Sequence, residues 1–149
     1  MRTNTKLADC EIDRIRDEAV ASGIRSVRSR IEKACTESKR TPDEVTLVAV
    51  TKTVPAPVVN LGRKAGLSHF GENRVQEAKL KISACPGNLE WHLIGHLQSN
   101  KCRDAVRLFN MIQSVDRMSI AEEINKHANN AAKDMPVLIE VNVAGEASK

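Results

Sequence analysis

Apolar and polar positions along the chain fall into two different rhythms. Over the first forty residues the rhythm is helical. Ile24, Val27, Ile31 and Ala34 recur at three- and four-residue steps, with arginine and glutamate between them, a spacing that lays one apolar stripe along one face of a helix. Ile12 and Ile15 extend this helix or belong to one before it, with Gly23 as the junction in the second case. Thr41-Pro42-Asp43-Glu44 has a hydroxyl at the cap, proline at the first helical position and glutamate three residues on. That is a capping box, and it predicts one short turn.

From Val45 onward the rhythm changes. Apolar runs of strand length at 45–51, 67–70, 91–95, 111–115 and 136–143 alternate with amphipathic segments at about 57–64, 74–83, 101–108 and 119–133. Ser119-Ile120-Ala121-Glu122 repeats the capping-box pattern, with Asp116 as an alternative start for that helix. One helix fits between each pair of strands, which predicts β-α units with right-handed crossovers and a parallel sheet. The runs are continuous more than alternating, as expected of strands covered on both faces. The class is α/β. Two architectures satisfy the pattern: an open doubly wound sheet, or a (β/α)8 barrel represented by about its first five β/α units. Periodicity does not separate them. No G-x-G-x-x-G fingerprint and no P-loop is present to favour a nucleotide fold.

Length and composition then narrow the class. The 149 residues fit a single domain spanning 1–149, with a helical extension over about 1–40. At 41% hydrophobic and 28% charged residues the chain has the composition of a soluble globular protein. Its aromatics are Phe70, Trp91 and Phe109, with no tyrosine, so the core is aliphatic and base-stacking platforms are scarce. The net charge of +4 is interleaved with acids, as at Arg25, Arg28, Arg30, Glu32 and Lys33. This is the pattern of a solvated helix face and not of a nucleic-acid stripe. Cys10, Cys35, Cys85 and Cys102 are far apart, without a C-x-x-C pair, which argues against a zinc or dithiol site. The first residues meet charge too early for a secretory signal, and no apolar run approaches membrane-spanning length. A cytoplasmic protein with reduced thiols, no membrane association and no nucleic-acid partner is expected.

Candidate chemistry lies just past the apolar runs, because ligands of parallel β/α sheets bind at the carboxyl ends of the strands. Thr51-Lys52-Thr53 follows the first run and Gly71-Glu72-Asn73-Arg74 the second. Gly95-His96 through Lys101 follows the third, Asp116 and Arg117 the fourth, and Asn142 lies in the fifth. Lys52, Asn73, His96 and Asn142 would thus share one rim. A lysine between low-dielectric walls is pushed toward the free amine, which can form a Schiff base with an aldehyde. Pyridoxal 5'-phosphate is the commonest aldehyde cofactor held in that way. Asn73 would hydrogen-bond its ring substituents, Gly71 would let the backbone come close, and His96 would stack or donate. The plainer alternative for His96 is a loop histidine bonded to a backbone carbonyl.

The blocks LVAVTKTVP (47–55), HFGENRVQEAKLK (69–81), WHLIGHLQSNK (91–101), SVDR (114–117) and VNVAGEASK (141–149), in this order and spacing, closely resemble the pyridoxal phosphate homeostasis protein family. The resemblance implies a fold-type III (β/α)8 barrel like the N-terminal domain of alanine racemase, with the cofactor as a Schiff base on Lys52. It places the family's G-E-N asparagine at Asn73 and a lysine kept near the site at Lys149. It implies a carrier or buffer of the cofactor without turnover, with acceptor apo-enzymes as partners and mostly monomeric full-length relatives. The alternatives are a racemase or decarboxylase of the same fold, or a non-functional fragment. Two departures stand out. Val54 occupies the position of a second lysine in many relatives, which weakens a two-lysine transfer scheme. The chain also stops where relatives continue for about three strands that carry the phosphate contacts. Unpaired edges then predict self-association for this chain.

Overall fold

The computed structural model describes residues 3–143 and 145, with side chains from Arg14 onward. The chain divides into two compact units, one of residues 1–47 and 57–67, the other of residues 48–56 and 68–149.

The first unit contains α1 (Thr3–Glu37), a 3-10 turn (Pro42–Glu44) and most of α2 (Ala56–Lys64). α1 is one continuous helix through Gly23, whose missing side chain faces open space. A single glycine costs a helix about 1 kcal/mol, too little to divide a helix of 35 residues. At its end Arg40 N–H donates to Cys35 O (2.9 Å) and Lys39 N–H to Thr36 O (3.2 Å), with Lys39 at φ 58°. This is a Schellman ending without its usual glycine. α2 ends the same way on Gly66 at φ +87°, and Arg28 Nη2 donates to the Gly66 carbonyl at 2.6 Å. In the predicted capping turn, Glu44 accepts from both the N–H (2.9 Å) and the hydroxyl (3.1 Å) of Thr41.

The second unit is a five-stranded parallel sheet of β1 (Val48–Val50), β2 (His69–Glu72), β3 (Glu90–Leu93), β4 (Met111–Val115) and β5 (Val137–Ile139). Between them run α3 (Val75–Ser83), α4 (Cys102–Leu108) and α5 (Met118–Asn130). The strand order is the chain order, β1-β2-β3-β4-β5. A doubly wound sheet reverses direction at a switch point, whereas each strand here is added beside its predecessor, as in a (β/α)8 barrel. The sheet is therefore a five-strand barrel segment, and the architecture that periodicity left open is decided by pairing.

α3 packs on α4 and α4 on α5, with α3 against β2 and α5 against β4. Strand alternation puts Phe70, Glu72, Trp91, Leu93, Ile112 and Ser114 on one face, all nearly or fully buried. This is the helix-covered face, since Glu72 pairs with Lys81 of α3. Phe70 and Trp91 stack at 5.5 Å between ring centroids, while Ala78, Val106, Ile120 and Ile124 close the core from the helices. The opposite face carries Val48, His69, Gly71, His92, Met111 and Gln113. A bulge in β4, where Ile112 pairs with Val137 but Val115 with Ile139, leaves Ser114 and Val115 buried in succession.

Several boundaries differ from the sequence expectation. β2 continues through Gly71 and Glu72 because both ladders continue there: Thr51 N–H donates to Gly71 O (2.9 Å) and Ile94 N–H to Glu72 O (3.0 Å). β5 is shorter than 136–143, so Asn142 lies past the strand and not in it. α5 starts at Met118 from an extended Arg117, without a side-chain cap, and the second capping box is not formed.

Candidate cofactor site

The carboxyl ends of the strands form one continuous hydrogen-bonded rim. β1 leads into the turn Thr51-Lys52-Thr53-Val54, closed by Val54 N–H donating to Thr51 O at 2.9 Å. Thr53 sits at φ 63°, a conformation β-branched residues rarely adopt, and its hydroxyl donates to Lys52 O at 2.5 Å. Pro55 favours the extended backbone at Val54 and ends the turn. Lys52 is exposed at the turn's first corner. The low-dielectric walls expected around it are thus not supplied by the described residues, a correction to the desolvation argument.

Val50 pairs with Gly71, so Lys52 and Asn73 lie two residues past the same rung of the β1–β2 ladder. Asn73 is half-buried. Gly95 of the next loop packs directly on the Asn73 backbone: a Cβ at Gly95 would come within 2.8 Å of Asn73 Cα. Only glycine lets these two loops approach so closely. Gly95 O in turn accepts from Ser114 Oγ at 2.7 Å, tying the rim to β4. Gly71 has a similar role on the sheet face, where a Cβ would lie 3.1 Å from Ile94 Cδ1 and 3.3 Å from Val48 Cγ1.

His96 is exposed, with Nδ1 3.2 Å from Asp116 Oδ2. Its partner is a carboxylate past β4, and not the backbone carbonyl of the plainer alternative. Asp116 is also held by Arg117 Nη1 at 2.7 Å. Asn73 and His96 both line a cleft of about 450 Å³ with Arg74, Gln76, Gln98 and Lys101. Asn142 is exposed beyond β5, where Glu140 N–H donating to Val115 O (2.9 Å) continues the rim. Lys149 lies outside the described residues. The structure thus brings Lys52, Asn73 and His96 onto adjoining loops of one rim.

In the sequence Thr51 and Glu72 stand out only as polar residues near strand ends, without their partner, Lys81. Thr51 Oγ1 donates to Glu72 Oε1 at 2.6 Å, and Lys81 Nζ lies 2.5 Å from the same oxygen. A signal for this did exist. Val75, Ala78 and Lys81 follow the three-residue step of the buried stripe of α3, so a lysine there needs a buried acid. Among the described residues no group of three or more side chains could hold a metal ion, and no helix is long and apolar enough to cross a membrane.

A parallel β/α sheet in barrel order with an exposed lysine on its carboxyl rim defines a class of ligand-binding β/α barrel. The chain belongs to the alanine racemase N-terminal domain family, which matches residues 25–146. Among individual proteins it is 41% identical over 133 residues to the pyridoxal phosphate homeostasis protein of Pseudomonas aeruginosa, covering 87% of this chain and 57% of that one. With the protein of the same name from Aquifex aeolicus it shares 44% identity over 126 residues, covering 83% and 54%. The chain spans a little over half the length of the curated relatives it matches. Among solved structures, PipY of Synechococcus elongatus with PLP bound is 38% identical at TM-score 0.67, over 78% of this chain and 56% of that one. A protein from Bifidobacterium adolescentis is 30% identical at TM-score 0.78, over 91% and 59%.

Proposed function

We propose that residues 1–149 act as one pyridoxal 5'-phosphate-binding domain serving cofactor homeostasis, with Lys52 as the attachment point and no turnover of its own. The observation that carries this reading is Lys52 itself, a primary amine on an exposed corner of the strand-end rim of a fold whose relative PipY was solved with PLP bound. The cofactor's aldehyde supplies an electrophile that an amine attacks with loss of water. The chain's own residues fit the aldehyde end of such a group. Lys52 offers the amine, Asn73 offers an amide beside it on the neighbouring strand end, and Gly95 keeps the loop carrying His96 close to Asn73. His96, Asn142 and Lys149 complete the proposed binding set. Delivery to acceptor apo-enzymes, a cytoplasmic location and self-association belong to the same reading. The free thiols of Cys35, Cys85 and Cys102 suit a reducing compartment.

The test is covalent trapping. The chain is mixed with the cofactor and reduced with borohydride, and the label is mapped by peptide mass. Label on Lys52, lost in Lys52→Ala, is the expected result. A wild-type chain that carries no label on Lys52 overturns the reading.

A further inference from the structure

Beneath the Lys52 turn lies a charge pair that the proposed chemistry does not use. The side chain of Glu72 is fully buried and that of Lys81 is 9% exposed. A buried ion pair is a poor source of stability, since apolar residues of similar volume commonly do as well or better. Its hydrogen bonds point to another role. Lys81 Nζ donates to the carbonyl oxygen of Thr51 at 2.6 Å, the same oxygen that accepts the turn-closing Val54 N–H. Thr51 Oγ1 donates to Glu72 Oε1, and Glu72 Oε2 has no hydrogen-bond partner. The carboxylate is therefore held through the one oxygen that Thr51 and Lys81 share. The main-chain oxygen and the side chain of the residue before Lys52 are both held by this pair. Glu72 is also the residue before Asn73. The left-handed Thr53 is a conformation that persists only where the surroundings over-determine it, and the clamp on Thr51 supplies that constraint from below.

We propose that Glu72 and Lys81 are positioning residues: their ion pair locks Thr51 and thereby sets the turn that presents Lys52 beside Asn73. The inference deepens the binding reading and depends on it only where cofactor labelling is the readout.

The test compares the wild type with the apolar double variant Glu72→Leu/Lys81→Met, with Thr51→Val and with Lys81→Arg. Each protein is read by thermal melting, by amide hydrogen exchange at Val54 and Leu93, and by borohydride-trapped cofactor on Lys52. The double variant is expected to melt near the wild-type temperature, because the pair is replaced and not broken. Its Val54 amide should exchange about tenfold faster, with Leu93 unchanged, and Lys52 labelling should fall about ten- to a hundredfold, the scale of a small misplacement of a reacting group. Thr51→Val should shift both readouts in the same direction by less, and Lys81→Arg should restore part of each. Wild-type exchange at Val54 in the double variant overturns the proposal. So does an equal rise at Val54 and Leu93, which would make the pair a general support of the fold. If the wild type takes no label on Lys52, the binding reading fails while Val54 exchange still decides the clamp.

Discussion

His92 is a titratable side chain carried by a strand and almost removed from water, at 6% exposure. Gln113 Nε2 lies 2.8 Å from its Nδ1, so the amide donates and the neutral ring keeps its proton on Nε2. Its ring also meets His69 edge-on at 5.5 Å. Burial, and then the neighbouring His69, hold the His92 pKa below its ordinary 6.5, with Glu90 opposing in part. The unfolded chain therefore takes up the proton first as pH falls, and stability declines from pH 6.5 down to the folded-state pKa. Replacing His92 with Gln should flatten the fall in Tm between about pH 7.5 and about pH 5. An unchanged slope would mean that His92 does not titrate with folding. That range avoids Glu44, whose carboxyl is held below 4.5 by the Thr41 N–H and then by Arg40. Its contribution is present above pH 4.5 and is lost as pH falls through the lowered folded value. At this scale Lys52 and Asn73 were legible because strand polarity alone assigns residues to the rim. The approach of His96 to Asp116 was not, since two loops 20 residues apart meet only through β3–β4 pairing.

The helices end in a shared way that their sequences only partly advertise. α1, α2 and α5 all close with a residue in the left-handed region: Lys39, Gly66 and Ala132. Only Gly66 is the residue such an ending prefers. At α5, Ala132 (φ 46°) turns the chain so that Lys133 N–H donates to Ala128 O at 3.0 Å. Lys133 Nζ then reaches Val106 O (2.8 Å) in the last turn of α4 and Phe109 O (2.7 Å) just past its end. That double cap explains why the helix stops at Asn130 although the apolar rhythm suggested continuation to 133. Ala132→Gly should relieve the left-handed cost of roughly 1–2 kcal/mol, offset in part by glycine's extra freedom in the unfolded chain. A net gain of roughly 0.5–1 kcal/mol, seen as a Tm a few degrees higher, is expected. A lower Tm would show that the alanine is not strained there. Element type was readable throughout because apolar spacing sets it. The ends were less so, because they depend on partners such as Lys133 for Val106 and Phe109.

At the scale of the whole sheet, apolar spacing carried the class but not the topology, and the barrel order came from the family resemblance of the sequence blocks. Apolar spacing is a local property, whereas strand order is a set of pairings between residues about twenty apart, such as Val50 with Gly71 and Leu93 with Ile112. The same order has a consequence in solution. β1 and β5 each have one sheet neighbour among the described residues. Along β5, Val137 is 41% exposed, Leu138 50% and Ile139 75%. An edge that offers unpaired backbone groups beside exposed aliphatic side chains is a template for another strand, and a net charge of +4 is modest repulsion to set against it. Sedimentation over a range of concentrations should therefore show mass rising above that of one chain. Ile139→Lys places a charge on the edge and should shift the distribution back toward the monomer without lowering Tm. The substitution is mild for the fold because the side chain it replaces is already mostly in solvent. A monomer at every concentration in the wild type would mean that the β5 edge is protected, and the self-association expected of this sheet would be wrong.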